Sequence, residues 1–139
     1  MPITTEVCNS FKKEVLEGVH EAADVYKIAL YTSAATLNKS TTVYSATNEV
    51  SGTGYVAGGA TLAGYTTALS GDVAYIDWTT DPSWPASSIT ARGALIYNSS
   101  QADKAVAVYD FGAEYTSTNG TFTIVLPAPG AATAVVRLT

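Results

Sequence analysis

The chain has 139 residues, 47% of them hydrophobic, enough for one domain with a packed core and no covalent staples. Only 14% are charged and the formal net charge is −5, whereas an average globular protein is roughly 25% charged. The seven basic residues are scattered and form no stripe for a nucleic-acid backbone. No apolar run reaches the roughly 18 residues of a membrane span, and the lone Cys8 excludes an intrachain disulfide.

Residues 1–24 read as an N-terminal helical segment and 25–139 as a β-sandwich domain, together one compact unit. No basic segment followed by an apolar one opens the chain, so no signal peptide is expected. The helix is predicted over 5–23, with Thr4 or Thr5 as its cap and Glu6 near its positive end. At helical spacing Val7, Cys8, Phe11, Val15, Val19 and Ala22 share one stripe, and Ser10, Lys13, Glu14, Glu17 and Glu21 lie opposite. Gly18 falls in the apolar stripe, where it lets another backbone come close. The stripe, with Phe11 and Val15 at its centre, either packs on the chain's own domain or docks on a neighbouring subunit. Phe11→Ala is expected to be costly and Glu14→Ala nearly neutral.

After Asp24 the pattern is strand and turn. "VYKIALY" (25–31) alternates, and 61–69, 73–79, 89–97, 105–111, 121–126 and 134–138 are similarly rich in β-branched and aromatic residues. Turn signals separate them at Ser70-Gly71-Asp72, Asp81-Pro82, Asn98-Ser99-Ser100 and Asn119-Gly120. About seven or eight short strands at this spacing predict an all-β fold, an antiparallel β-sandwich with one N-terminal amphipathic helix. "ITARGALIYNSSQADKAVAVYDFG" is the most regular hairpin; it carries Arg92 on one strand and Asp110 on the other, which pair if the register allows.

"NEVSGTGYVAGGATL" (48–62) invites a test for nucleotide binding. Gly52, Gly54 and Gly58 are spaced G-x-G-x-x-x-G, one position too long for the dinucleotide fingerprint. A strand-like run follows instead of a helix, and no phosphate-binding lysine is present. The stretch is therefore predicted to be an uncharged surface loop offering Tyr55 and Val56 to a neighbour.

Other chemistry finds no support in the pattern. Cys8 is expected to be buried and His20, the one histidine, exposed on the helix's polar face, so they make no nucleophile–base pair. One His and one Cys do not make a zinc site. Asp72, Asp77, Asp81, Asp103, Asp110 and Glu114 lack calcium-loop spacing. The Asn-x-Ser/Thr triplets at Asn38, Asn98 and Asn119 read as turn residues. No catalytic residue, metal or cofactor is expected. Nine tyrosines and two tryptophans remain. Trp78 and Trp84, in "DWTTDPSWPASS", either close the core beside a rigid turn or contribute to an interface.

"SFKKEVLEGVHE", "YKIALYTSAATLNKSTTVYSATNEVSGTGYVAGGATL", the hairpin above and "GTFTIVLPAPGAATAVVRLT" resemble a group of small structural proteins of tailed bacteriophages. The likeness covers nearly the whole chain and includes no catalytic motif. It implies a non-enzymatic virion component made in the host cytoplasm. This would be a capsid decoration or cement protein on the major capsid protein, or a tail or neck part such as a fibre-attachment or adaptor subunit. A carbohydrate-binding fibre module is a further alternative. Low charge, abundant tyrosine and the terminal amphipathic helix predict a homo-oligomer, for which the resemblance favours a trimer; neither nucleic acid nor membrane is expected as a partner.

Overall fold

The computed structural model describes residues 3–127, 130 and 132–138. Its elements in chain order are β1 (Glu6–Val7), α1 (Asn9–Leu16), β2 (Tyr26–Tyr31), β3 (Ala60–Thr61), β4 (Ala63–Ser70), β5 (Val73–Thr80), β6 (Ser83–Ser87), β7 (Thr90–Asn98), β8 (Lys104–Thr116), β9 (Gly120–Thr123) and β10 (Val136–Leu138). The fold is all-β and antiparallel, as the strand pattern predicts. A five-stranded sheet runs β1-β8-β7-β2-β3, a three-stranded sheet β10-β5-β4, and β6 pairs with β9.

The core is built on β2, β7 and β8. Ile28, Leu30, Ala94, Leu95, Ile96 and Val106 are fully buried. Along β2 every residue but Lys27 is buried, because both faces of this strand are covered and alternation is lost. The three-stranded sheet joins through Tyr26, whose ring lies 5.5 Å from that of Tyr65 on β4 and 5.3 Å from that of Trp78 on β5. The β6–β9 pair brings Trp84 and Phe122 together, 6.2 Å apart, and links them to Tyr55 and Phe111.

The runs predicted at 73–79 and 89–97 are β5 and β7 to within one residue at each end. β6 lies inside the stretch read as a rigid turn. Its Pro85 falls in the register shift between Trp84 and Ser87, where the ladder needs no N–H. Gly93 pairs with Asp110 but Ala91 pairs with Tyr115, so β8 bulges and runs on to Thr116. This register also brings Arg92 to Asp110, with Nε 2.8 Å from Oδ1.

The helix is shorter than its apolar stripe predicts. Glu6 and Val7 pair with Val108 and Ala107 on β8, and the Cys8 N–H bonds to the Val106 carbonyl, so the chain stays extended to that point. Thr5 is not the cap; its hydroxyl accepts from the Asp110 N–H at 2.8 Å. Cys8 holds the cap position without a side-chain bond. At the other end Gly18 has φ +73°, its N–H reaches the Val15 carbonyl, and the Val19 N–H reaches that of Glu14. This is the Schellman arrangement, so Gly18 terminates the helix instead of opening its face.

The early stop also corrects the placement of His20. Its side chain is 1% exposed, with Nε2 2.9 Å from Glu14 Oε1 and Nδ1 3.0 Å from Asn98 Nδ2. The Asn98 amide oxygen accepts from Ser100 N–H, which orients its NH2 toward His20 and Asp24. Nδ1 is therefore an acceptor and Nε2–H donates to Glu14. Phe11 packs on this ring at 4.6 Å and is itself buried. Phe11→Ala is expected to cost about 3–5 kcal/mol. Glu14→Ala, neutral on the sequence reading, is expected to cost about 1–3 kcal/mol because it strands a buried N–H. Urea titrations check both, and a Glu14→Ala midpoint equal to the native one would remove His20 from the packing argument.

Candidate interaction surface

Cys8 and His20 are both engaged in packing. Cys8 is buried, and burial pushes its thiol up to about 12, so the nucleophilic thiolate is suppressed at neutral pH. His20 is enclosed by Phe11, Glu14 and Asn98. Among the described residues no cluster of three or more His, Cys, Asp or Glu side chains could hold a metal ion. No helix among them is long and apolar enough to cross a membrane.

The Gly-rich stretch seals a sheet edge. β3 pairs only with Lys27 and Ile28, which leaves the rest of that edge of β2 open. Residues 48–59 fill it: Val50 N–H donates to the Leu30 carbonyl, and Leu30 N–H donates to the Tyr55 hydroxyl at 2.9 Å. The hydroxyl in turn donates to Glu49 Oε2 at 2.5 Å. Glu49 also accepts from the Tyr44 hydroxyl at 2.6 Å and from Gly58 N–H at 2.8 Å. Tyr97 completes the set, donating to the Gly58 carbonyl and stacking on Tyr44. Burial and the Glu49 carboxylate push the phenols of Tyr44 and Tyr55 well above the ordinary tyrosine range. A Cβ on Gly59 would overlap the Ile28 carbonyl oxygen, so glycine is needed where the loop crosses β2.

Tyr55 is thus a buried anchor, 9% exposed, and not the tip residue its glycine-rich surroundings predict. Its neighbour Val56 is 75% exposed and does face solvent. Trp78 and Trp84 are both buried in core contacts, the first on Tyr26 and Tyr65, the second between Tyr55 and Phe122. Phe11 is buried within its own domain, and Val15 is partly buried. Of the six side chains picked out for contacts, Val56 alone is fully available in this chain, with Val15 at the margin of a groove.

That groove is the more extensive apolar surface. Register places Tyr65, Thr67 and Leu69 of β4 on one sheet face with Trp78, Ile76 and Ala74 of β5. β10 continues the face, with Val136 opposite Ile76 and Leu138 opposite Ala74. The Trp78 end of this face packs into the core. The Leu69 end overhangs it, flanked by Val15, and forms an open groove of about 370 Å³ with no charged side chain in its lining. Leu69 is 73% exposed, and Leu16, at the end of α1, is 87% exposed. Neither is marked by the local sequence. Leu69 reads as one more apolar residue of an alternating strand, and only its exposure in the folded chain shows that the described residues leave it open.

No protein-family model, no curated protein and no solved structure matches this chain.

Proposed function

We propose that this chain is a structural component of a tailed-phage particle, a capsid decoration protein that binds the outer shell and clamps neighbouring capsomers of the major capsid protein. The observation that carries the reading is the uncharged groove beside α1, with Leu16, Leu69 and Leu138 turned outward. An exposed apolar patch of this kind suits a protein that works against a neighbour. The low charge of the chain and the phage-like segments agree with it. A rigid β fold whose His, Cys and several Tyr groups serve packing suits a building block.

The test is copy number in purified particles, from quantified protein bands or isotope-dilution mass spectrometry. A decoration protein follows the shell lattice and is present in hundreds of copies, whereas a tail or neck part follows the tail symmetry at about six to a few tens. The second result would move the protein to the tail. Absence from particles would end the virion reading altogether.

A further inference from the structure

β4 is the longest strand at a sheet edge among the described residues, eight residues paired on one side only. Native sheets guard such edges with lysine, proline, bulges or a covering segment. β2 has its cover in residues 48–59. β4 has no comparable protection: Ala63–Ser70 contains no charged residue and no proline, and from Tyr65 to Ser70 its register with β5 is unbroken. No hydrogen bond from another element reaches its outer side among the described residues.

We propose that this edge is a self-docking surface: a second copy of the chain lays its own β4 antiparallel against it, about a two-fold axis through Thr67. The hairpin fixes which groups are free. Ser70 and Val73 close a two-residue turn whose first residue, Gly71, has φ +60°, the type II′ pattern. The closing pair of such a turn is hydrogen-bonded, and bonding alternates along the strand. Thr66 and Ala68 therefore bond inward to β5, while the N–H and C=O groups of Tyr65, Thr67 and Leu69 point outward. A two-fold axis at Thr67 sets Thr67 against Thr67 and Tyr65 against Leu69 of the second copy, satisfying all of these groups. It makes one continuous sheet from two three-stranded ones.

The self-complementary register about Thr67 selects a second copy as the occupant, and the charge-free edge permits it. Each chain carries −5, so copies can approach closely only where no carboxylates meet. β4 has none. Asp77 on the paired strand is buried. Asp72, level with Gly71 at the hairpin tip, would lie about 26 Å from its counterpart at about 3.3 Å per residue, far beyond a screening length of about 8 Å. The isologous pairing closes as a dimer, in place of the trimer implied by the phage resemblance. It holds whether or not the chain belongs to a particle.

Sedimentation velocity on the full chain tests this, together with Thr67→Lys and Thr67→Cys. The native chain is expected to sediment as a dimer. Thr67→Lys sets two ammonium groups face to face at the axis and should raise the dissociation constant at least about tenfold. Thr67 is exposed, so the melting temperature of the monomer should not change. A hydrogen-bonded antiparallel pair has Cα atoms about 5.5 Å apart, inside the disulfide range. Thr67→Cys should therefore cross-link on mild oxidation, while the native chain, whose Cys8 is buried, should not. The proposal fails if the native chain is a monomer or a trimer, if its oligomer survives Thr67→Lys, or if Thr67→Cys does not cross-link. Copy number in particles is a separate measurement, so failure here leaves the virion reading standing.

Discussion

Tyr55→Ser is expected to lower stability by more than about 4 kcal/mol, close to the whole stability of a marginal domain. The substitution removes a buried ring that packs 6.0 Å from Trp84. It also leaves the Leu30 N–H without its partner and takes one of three hydrogen bonds from the Glu49 carboxylate. The orphaned N–H adds to the cost of the cavity. Tyr55→Phe separates the contributions: the ring stays, and only the hydroxyl's two bonds are lost, for about 1–3 kcal/mol. Urea unfolding followed by tryptophan fluorescence should rank native, Phe and Ser in that order. On the sequence reading Tyr55→Ser spares the fold and weakens contact with a neighbour. A Ser variant that melts with the native protein would restore that reading and make the Glu49 network incidental.

Alkali is expected to unfold this protein steeply. Burial raises the phenols of Tyr26, Tyr31, Tyr44, Tyr55 and Tyr109 far above the ordinary value of 10.0, that of Tyr97 to about 12, and the Cys8 thiol from 9.0 to about 12. In the unfolded chain these groups lose their protons from about pH 9 to 10 upward. The folded chain keeps them to higher pH, so in that window the unfolded state binds fewer protons and stability falls as pH rises. The contribution is fully present below pH 9 and is lost progressively toward pH 12. Because several groups titrate together, the tyrosinate absorbance of these six phenols should appear in one cooperative step that coincides with loss of the β-sheet signal. Gradual ionisation with the sheet intact would show that these phenols are not shielded. Asp110 works in the opposite sense. The Arg92 hydrogen bond holds its carboxyl below the usual range, so its small contribution is lost in acid.

What could be read from the sequence was the part set by local pairing. The β7–β8 hairpin has alternating apolar strands and a polar connection, so its position is legible from adjacent residues, whereas the meeting of Arg92 with Asp110 depends on a register that the local pattern leaves open. The end of α1 is overrun on the sequence reading because Gly18, in helical register with the apolar stripe, is in fact the helix stop. What shortened the helix at its start was the pairing of Glu6 and Val7 with β8, which no local pattern announces. Tyr55 was misplaced for the same reason: Leu30, whose N–H it binds, is 25 residues away. The local sequence leaves Trp78 and Trp84 open between core and interface. Their neighbours Tyr26 and Tyr55 come from other elements, and those contacts place both tryptophans in the core.

The pairing of Glu6 with Val108 also bears on how the chain folds. It closes a loop of about 100 residues, which forms late because the entropy of closure precedes any reward from contact. The two local hairpins, β4–β5 and β7–β8, can form first. During that interval the unguarded β4 strand is presented beside apolar surface that β1 and α1 have not yet covered. Refolding is therefore expected on the millisecond-to-second scale typical of non-local β folds, with a yield that falls as protein concentration rises. Light scattering during dilution from urea would reveal that loss. A yield independent of concentration would mean that the edge is covered before chains can meet.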